Sequence, residues 1–228
     1  MYKGKFLVAN PAITDPIFSN TIVYLVSHSS KGAEGIIVNP KKSVGDVSFV
    51  EVSEMLKDIS LSEKEGMEKF LNSIKGMPSV PLFQAGPVRT DGPYLLHGYE
   101  DIFDAEVPPG QEEDKPEFDL GIPTSFGDND ELSDFKEKLK LMDGVYFGSP
   151  NTFAKIIESG KVPEGKFRFY IGTSTWAKGQ LEHEIAGGAW RIIDGDASLF
   201  FDKEKADAIF PKGPELKSWA ERLKPSMN

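Results

Sequence analysis

FLVANPAITDPIFSNTIVYLVSHSSKGAEGIIVNP, residues 6–40, decides the fold class. Phe6 to Ala9 is a short apolar run ended by Asn10-Pro11. Thr21 to Ser27 is rich in β-branched and aromatic residues, as a buried strand requires. Lys31-Gly32 supplies a turn, and Gly35 to Val38 is a third apolar run closed by Asn39-Pro40. Three strands this close in sequence predict an antiparallel meander.

Helices follow the meander. Val52, Met55, Leu56 and Ile59 recur at helical spacing within 47–59. Ser62-Glu63-Lys64-Glu65 reads as a capping box opening a second helix that ends near Gly76. Strands resume at Val80 to Phe83, the chain turns at Ala85-Gly86-Pro87, and Tyr94 to His97 is another short strand. From about 98 to 143 the chain is acidic and rich in Pro and Gly, which predicts a surface insertion closed by a helix near 131–141. A linker between domains is the alternative, but neither flank alone looks like a complete core.

Gly144 to Phe147 is a strand, and Ser149-Pro150 starts a helix with proline at its first position. Lys166 to Gly172 alternates as a strand does, a helix follows Trp176, and a last strand is expected near Ala197 to Phe201. One or two helices capped by Asp202 end the chain. Elements arrive in blocks rather than in regular βαβ alternation. That pattern predicts an α+β fold with an antiparallel or mixed sheet, in one domain over residues 1–228.

Composition narrows the function classes. The 228 residues carry 36 acidic and 26 basic side chains, a net charge of −10. Phosphate contacts dominate nucleic-acid affinity, so direct nucleic-acid binding is disfavoured. No run reaches the roughly 20 apolar residues a membrane helix needs, and no signal peptide is evident, which leaves the cytoplasm as the expected compartment. With no cysteine there is no thiol nucleophile and no cysteine-based zinc site.

GQLEHEIAGGAW, residues 179–190, contains His183-Glu184, the first half of a zinc-protease pattern. The second histidine that pattern needs is replaced by Gly187. On a helix here, Leu181 and Ile185 share the inward face. Gln180, His183, Glu184 and Gly187 share another, and Glu182 projects separately. A solvated helix face is the blander reading of the same spacing. Asp15 before Pro16 marks a turn, where its carboxylate can bond its own backbone. His28 lies at the end of the strongest strand. A zinc site from His28, His97 and His183 has no supporting spacing, and neither a nucleophile elbow nor a phosphate loop is present. No metal and no cofactor are expected.

Two blocks take the reading further: residues 6–40 and GVYFGSPNTFAKIIESGKVPEGKFRFYIGTSTWAKGQLEHEIAGGAW, residues 144–190. Together, with AGPV and YLLHG between them, they closely resemble the YqgE/AlgH family of bacterial proteins. The resemblance implies a single α+β domain with a twisted, barrel-like sheet flanked by helices. It also implies the label of transcriptional regulator, without a DNA-binding motif and without a settled activity. The motif positions that carry over are Asp15, Phe18, His28, Gly35, Asn39, Gly86, Pro87, Trp176, Gly179, Gln180, Leu181, Glu182, Glu184 and Trp190. Ala85 departs from the family's Gly-Gly-Pro turn. Asn39-Pro40 lacks the basic residue often placed between them, and the segments 61–79 and 98–143 are long.

Two functions are therefore expected to compete. One is a non-catalytic binding or regulatory protein with a cleft lined by Asp15, His28, Trp176, Gln180 and Glu184, holding a small-molecule ligand or a protein partner. The other is a small-molecule hydrolase with Glu184 or Asp15 as base and His28 assisting. The sequence carries no signature of an oligomeric state.

Overall fold

The computed structural model describes residues 2–41, 43–47, 80–102, 139–148 and 150–210. The helices expected over 47–59 and 62–76, most of the acidic insertion, and the segment 211–228 lie outside the described residues. The chain divides into two compact units. The first comprises Met1–Lys41, Gln84–Gly92 and Ile171–Asn228; the second comprises Lys42–Phe83 and Pro93–Tyr170. Strands and helices occur in both described parts, the strands pair antiparallel, and the fold class is α+β.

In chain order the strands are β1 (Phe6–Ala9), β2 (Ile22–Ser29), β3 (Gly32–Ile37), β4 (Ser43–Val47) and β5 (Val80–Gln84). Then come β6 (Val88–His97), β7 (Lys140–Met142), β8 (Val145–Gly148), β9 (Phe167–Ala177) and β10 (Trp190–Ile193). The helices are α1 (Pro150–Glu158), α2 (Gln180–Ala186), α3 (Ser198–Phe201) and α4 (Lys203–Ala208).

In the first unit the strand order is β10-β1-β2-β3-β9. The meander read from residues 6–40 is present. All four residues of β1 are buried, because the strand is paired on both edges and covered on both faces. Its alternation divides those faces. Leu7 and Ala9 join Val23, Leu25, Ala33, Ile37, Trp176, Leu181 and Trp190 in one core cluster. Phe6 points the other way and packs with Tyr24 and with Phe200 of α3.

Two expectations about this unit are corrected. The strand expected over Ala197 to Phe201 is helix α3, because Asp196 accepts from the Ser198 amide at 2.9 Å and starts a turn. The strand that closes the sheet is β10 instead: Gly188, at φ 78°, turns the chain back after α2, and Trp190–Ile193 pairs with β1. Asp202 does cap α4, accepting from the Lys205 amide.

In the second unit β4 pairs β5, and β8 lies between β6 and β7. Val47, expected to open a helix, is the last residue of β4. Lys140 and Leu141, expected to end a helix, belong to β7, which returns into β8 through a turn where Gly144 has φ 74°. The helix α1 begins at Pro150 as expected, and it buries Phe153 and Ile156 among Leu95, Tyr99, Ile102 and Phe169. Among the described residues no helix is long and apolar enough to cross a membrane.

Candidate functional site

Helix α2 is fixed from both ends and from below. Gly179, at φ 75°, supplies the left-handed backbone before its first turn, and a Cβ there would meet nothing. At the other end Gly187 and Gly188 bond back to His183 and Ile185 carbonyls at 2.9 and 3.0 Å. Leu181 anchors the helix in the core cluster, with Ile185 packed against it, as the helical spacing predicts.

The centre of the site is the Glu184 carboxylate. Its Oε2 accepts from the indole N–H of Trp176 at 2.8 Å and from that of Trp190 at 2.7 Å. Its Oε1 accepts from the Gln180 amide at 2.9 Å. The Gln180 oxygen in turn accepts from the Ala177 backbone N–H at 3.0 Å. An indole nitrogen can only donate, so two buried tryptophans need an acceptor, and an ionised carboxylate is the strongest available. The two indoles meet edge to face, with centroids 5.9 Å apart. Phe18 packs edge-on against Trp190 at 5.8 Å. The Asp15 carboxylate holds Phe18 there by accepting from the Ile17 and Phe18 amides at 2.8 and 3.0 Å.

A second group sits one face over. His28 Nε2 lies 2.6 Å from Glu182 Oε1, and His28 Nδ1 accepts from the Tyr2 backbone N–H at 2.8 Å. The Tyr2 ring stacks on the imidazole with an interplanar angle of 2°. An Nδ1 that accepts cannot carry a proton, so the ring is the neutral tautomer that donates from Nε2 to Glu182. This hydrogen bond, after that from its own backbone, holds the Glu182 carboxyl below the usual range.

A bulge brings His28 to this face. The β2–β3 register runs Leu25↔Gly35 and then Ser27↔Glu34, so Val26 is an extra residue. Beyond it the alternation inverts. His28 thus pairs with Ala33, which pairs with Trp176, and all three side chains share the α2 side of the sheet. Without the extra residue His28 would point with Tyr24 to the opposite face.

The remaining motif positions serve the backbone. A Cβ on Gly35 would lie 2.6 Å from Val23 Cγ1, and one on Gly86 would lie 2.1 Å from the carbonyl of Thr173. Asn39 accepts from the Ile22 amide at 2.6 Å and donates to the Asn20 carbonyl at 3.2 Å, tying the start of β2 to the end of the meander. Pro87 and His183 are exposed. Glu182, expected to project separately, is the carboxylate on His28. Sequence reading also missed Tyr2 and the fully buried Glu34, whose Oε1 accepts from the Thr173 hydroxyl at 2.9 Å. The acidic residue two places beyond Gly32, inside an apolar strand, was the signal for Glu34; nothing in the sequence marked Tyr2.

Chemically, the imidazole–carboxylate pairs expected from Glu184 or Asp15 with His28 are not formed. Both Glu184 oxygens are occupied by donors, Asp15 is bonded to its own turn, and His28 uses both ring nitrogens. The arrangement is a hydrogen-bonded brace carrying a half-exposed rim of Asp15, Phe18, Gln180 and Glu182.

Comparison with known proteins agrees with the motif reading. The profile of the AlgH-like family (DUF179) matches residues 6–212. A UPF0301 protein of Stutzerimonas stutzeri is 30% identical over 200 residues, covering 88% of this chain and 80% of the relative. One of Parabacteroides distasonis is 27% identical over 222 residues, covering 95% and 86%. Among solved structures, protein DIP2367 of Corynebacterium diphtheriae aligns with a TM-score of 0.52 at 15% identity, covering 96% of this chain and 92% of its own. The AlgH protein of Pseudomonas aeruginosa aligns with a TM-score of 0.49 at 24% identity, covering 98% and 89%.

Proposed function

Because the chain belongs to the AlgH-like family, with the Trp-x-x-Gly-Gln-Leu-Glu block that marks YqgE/AlgH proteins, we propose that it is a non-catalytic binding or regulatory protein. Its recognition face is the rim around α2 and the turn at Asp15, and its occupant is a small molecule or a segment of a partner protein. The observation that carries this reading is the Glu184 carboxylate, which accepts three hydrogen bonds and holds two indoles rather than waiting for a substrate proton. A general base needs a lone pair facing the proton it removes. Any regulation of transcription then runs through a partner, since a net charge of −10 opposes phosphate contact. The cytoplasm, where a cysteine-free chain of this kind meets such partners, is its proposed compartment.

The hydrolase reading keeps one observation in its favour, the His28–Glu182 pair at 2.6 Å. For that imidazole to act as a base, the Tyr2 amide would first have to leave Nδ1. Substituting Glu184→Ala separates brace from catalyst. Removing the acceptor strands two buried indole donors, and urea unfolding followed by tryptophan fluorescence should show a loss of about 3 kcal/mol. A catalytic carboxylate is held at the expense of stability, and its removal leaves stability unchanged or raised. An unchanged unfolding midpoint in Glu184→Ala therefore contradicts the brace.

A further inference from the structure

We propose that the segment before β1 is a pH-sensitive strap, in which protonation of His28 releases Tyr2 while tightening the imidazole on Glu182. The inference is independent of what the recognition face binds. Two opposite demands are placed on one ring. The Tyr2 amide at Nδ1 requires a lone pair there, and an imidazolium has an N–H in its place. Two donors would then face each other across 2.8 Å. Glu182 at Nε2 makes the opposite demand, because a carboxylate bonds an imidazolium more strongly than a neutral ring. Acid thus exchanges one contact for the strengthening of the other.

Among the described residues, the groups facing the imidazole are few. From the segment before β1 come the Tyr2 amide and ring, and from α2 the Glu182 carboxylate. On the hairpin itself Ala33 lies opposite in the register and Lys31 stands in the turn. Glu182 is held below the usual carboxylate range, so it stays ionised while the ring takes up its proton. The strap has a hinge: Gly4, at φ 81°, follows Lys3. Across that hinge the Lys5 amide bonds the Tyr2 carbonyl at 3.0 Å, closing a turn that release of Tyr2 has to open. The hinge residue is itself held to the sheet, its amide donating to the Leu25 carbonyl at 2.8 Å. Release would uncover the patch of the core cluster against which Tyr2 packs.

The test is NMR on the full-length protein with labelled histidine, taken from about pH 8 to about pH 5, the range in which histidine acts as a switch. The imidazole nitrogen shifts report which nitrogen carries the proton, and Overhauser contacts report whether the Tyr2 ring is stacked. The expected result is a neutral ring protonated on Nε2 with Tyr2 contacts present, and loss of those contacts in step with ring protonation. His28→Asn keeps an acceptor near the Nδ1 position without titrating, so its Tyr2 signals should stay docked throughout. Glu182→Gln should move the transition of Tyr2 to lower pH. Contacts that persist through protonation, a neutral ring protonated on Nδ1, or Tyr2 release in His28→Asn at the same pH would each overturn the proposal.

Discussion

Buried in the second unit, the His97 imidazole titrates at about 4 instead of 6.5, because burial penalises its charged form more than a hydrogen bond to Phe147 favours it. The ring lies between Tyr99 and Tyr146, with centroids 6.2 and 5.8 Å away. Below pH 6.5 the unfolded chain takes up a proton that the folded chain refuses until about pH 4. Stability is therefore full above the first value and falls as pH drops toward the second. The loss is about 3 kcal/mol across that window. A His97→Gln variant does not titrate, so its stability deficit against the wild type should shrink as pH falls from neutral toward 4. A deficit constant with pH in urea titrations would remove His97 from the acid response. At this scale the sequence was partly readable. Asp15 before Pro16 announced a self-bonded turn, and the structure has it. The role of Glu184 was not readable, since its acceptor geometry depends on two indoles, eight residues before it and six after, converging in space.

Among the elements, the strands of residues 6–40 and the helix after Gly179 followed directly from apolar runs, turn residues and helical spacing. Two features did not follow. The bulge at Val26, which turns His28 toward α2, leaves no mark in a run of residues that all suit a strand. The exchange of β10 for the expected strand at Ala197 depends on Gly188 reversing the chain, while the apolar run SLFF suits either helix or strand by periodicity. Gly86 and Gly172 mark a close approach of two backbones: a Cβ on Gly172 would lie 2.4 Å from the Gly86 carbonyl oxygen. Because backbone cannot move aside as a side-chain tip can, Gly86→Ala should cost about 3 kcal/mol. Gly179→Ala meets no neighbour and carries only the left-handed backbone penalty of about 1 kcal/mol. Chemical denaturation of the two variants side by side checks the order; equal losses would mean the approach at Gly86 relaxes freely.

For the molecule as a whole, the family signature and the brace coincide. The residues that define the signature in the second half of the chain mostly hold one another: Trp176 and Trp190 through Glu184, and Gln180 through Glu184 and Ala177. What they present outward is a polar and aromatic rim on a chain of net charge −10. Family resemblance was legible from order and spacing alone, because Asp-Pro-x-Phe and Trp-x-x-Gly-Gln-Leu-Glu are specific patterns. Binding at the rim is a matter of surface chemistry that spacing does not encode. Native mass spectrometry decides whether that rim binds, using full-length protein purified gently from cell extract alongside a Gln180→Arg variant shown to be folded by circular dichroism. A recognition face predicts added mass on the wild type that is lost on denaturation and diminished in the variant. Wild-type protein that flies bare, or added mass retained equally by Gln180→Arg, contradicts it.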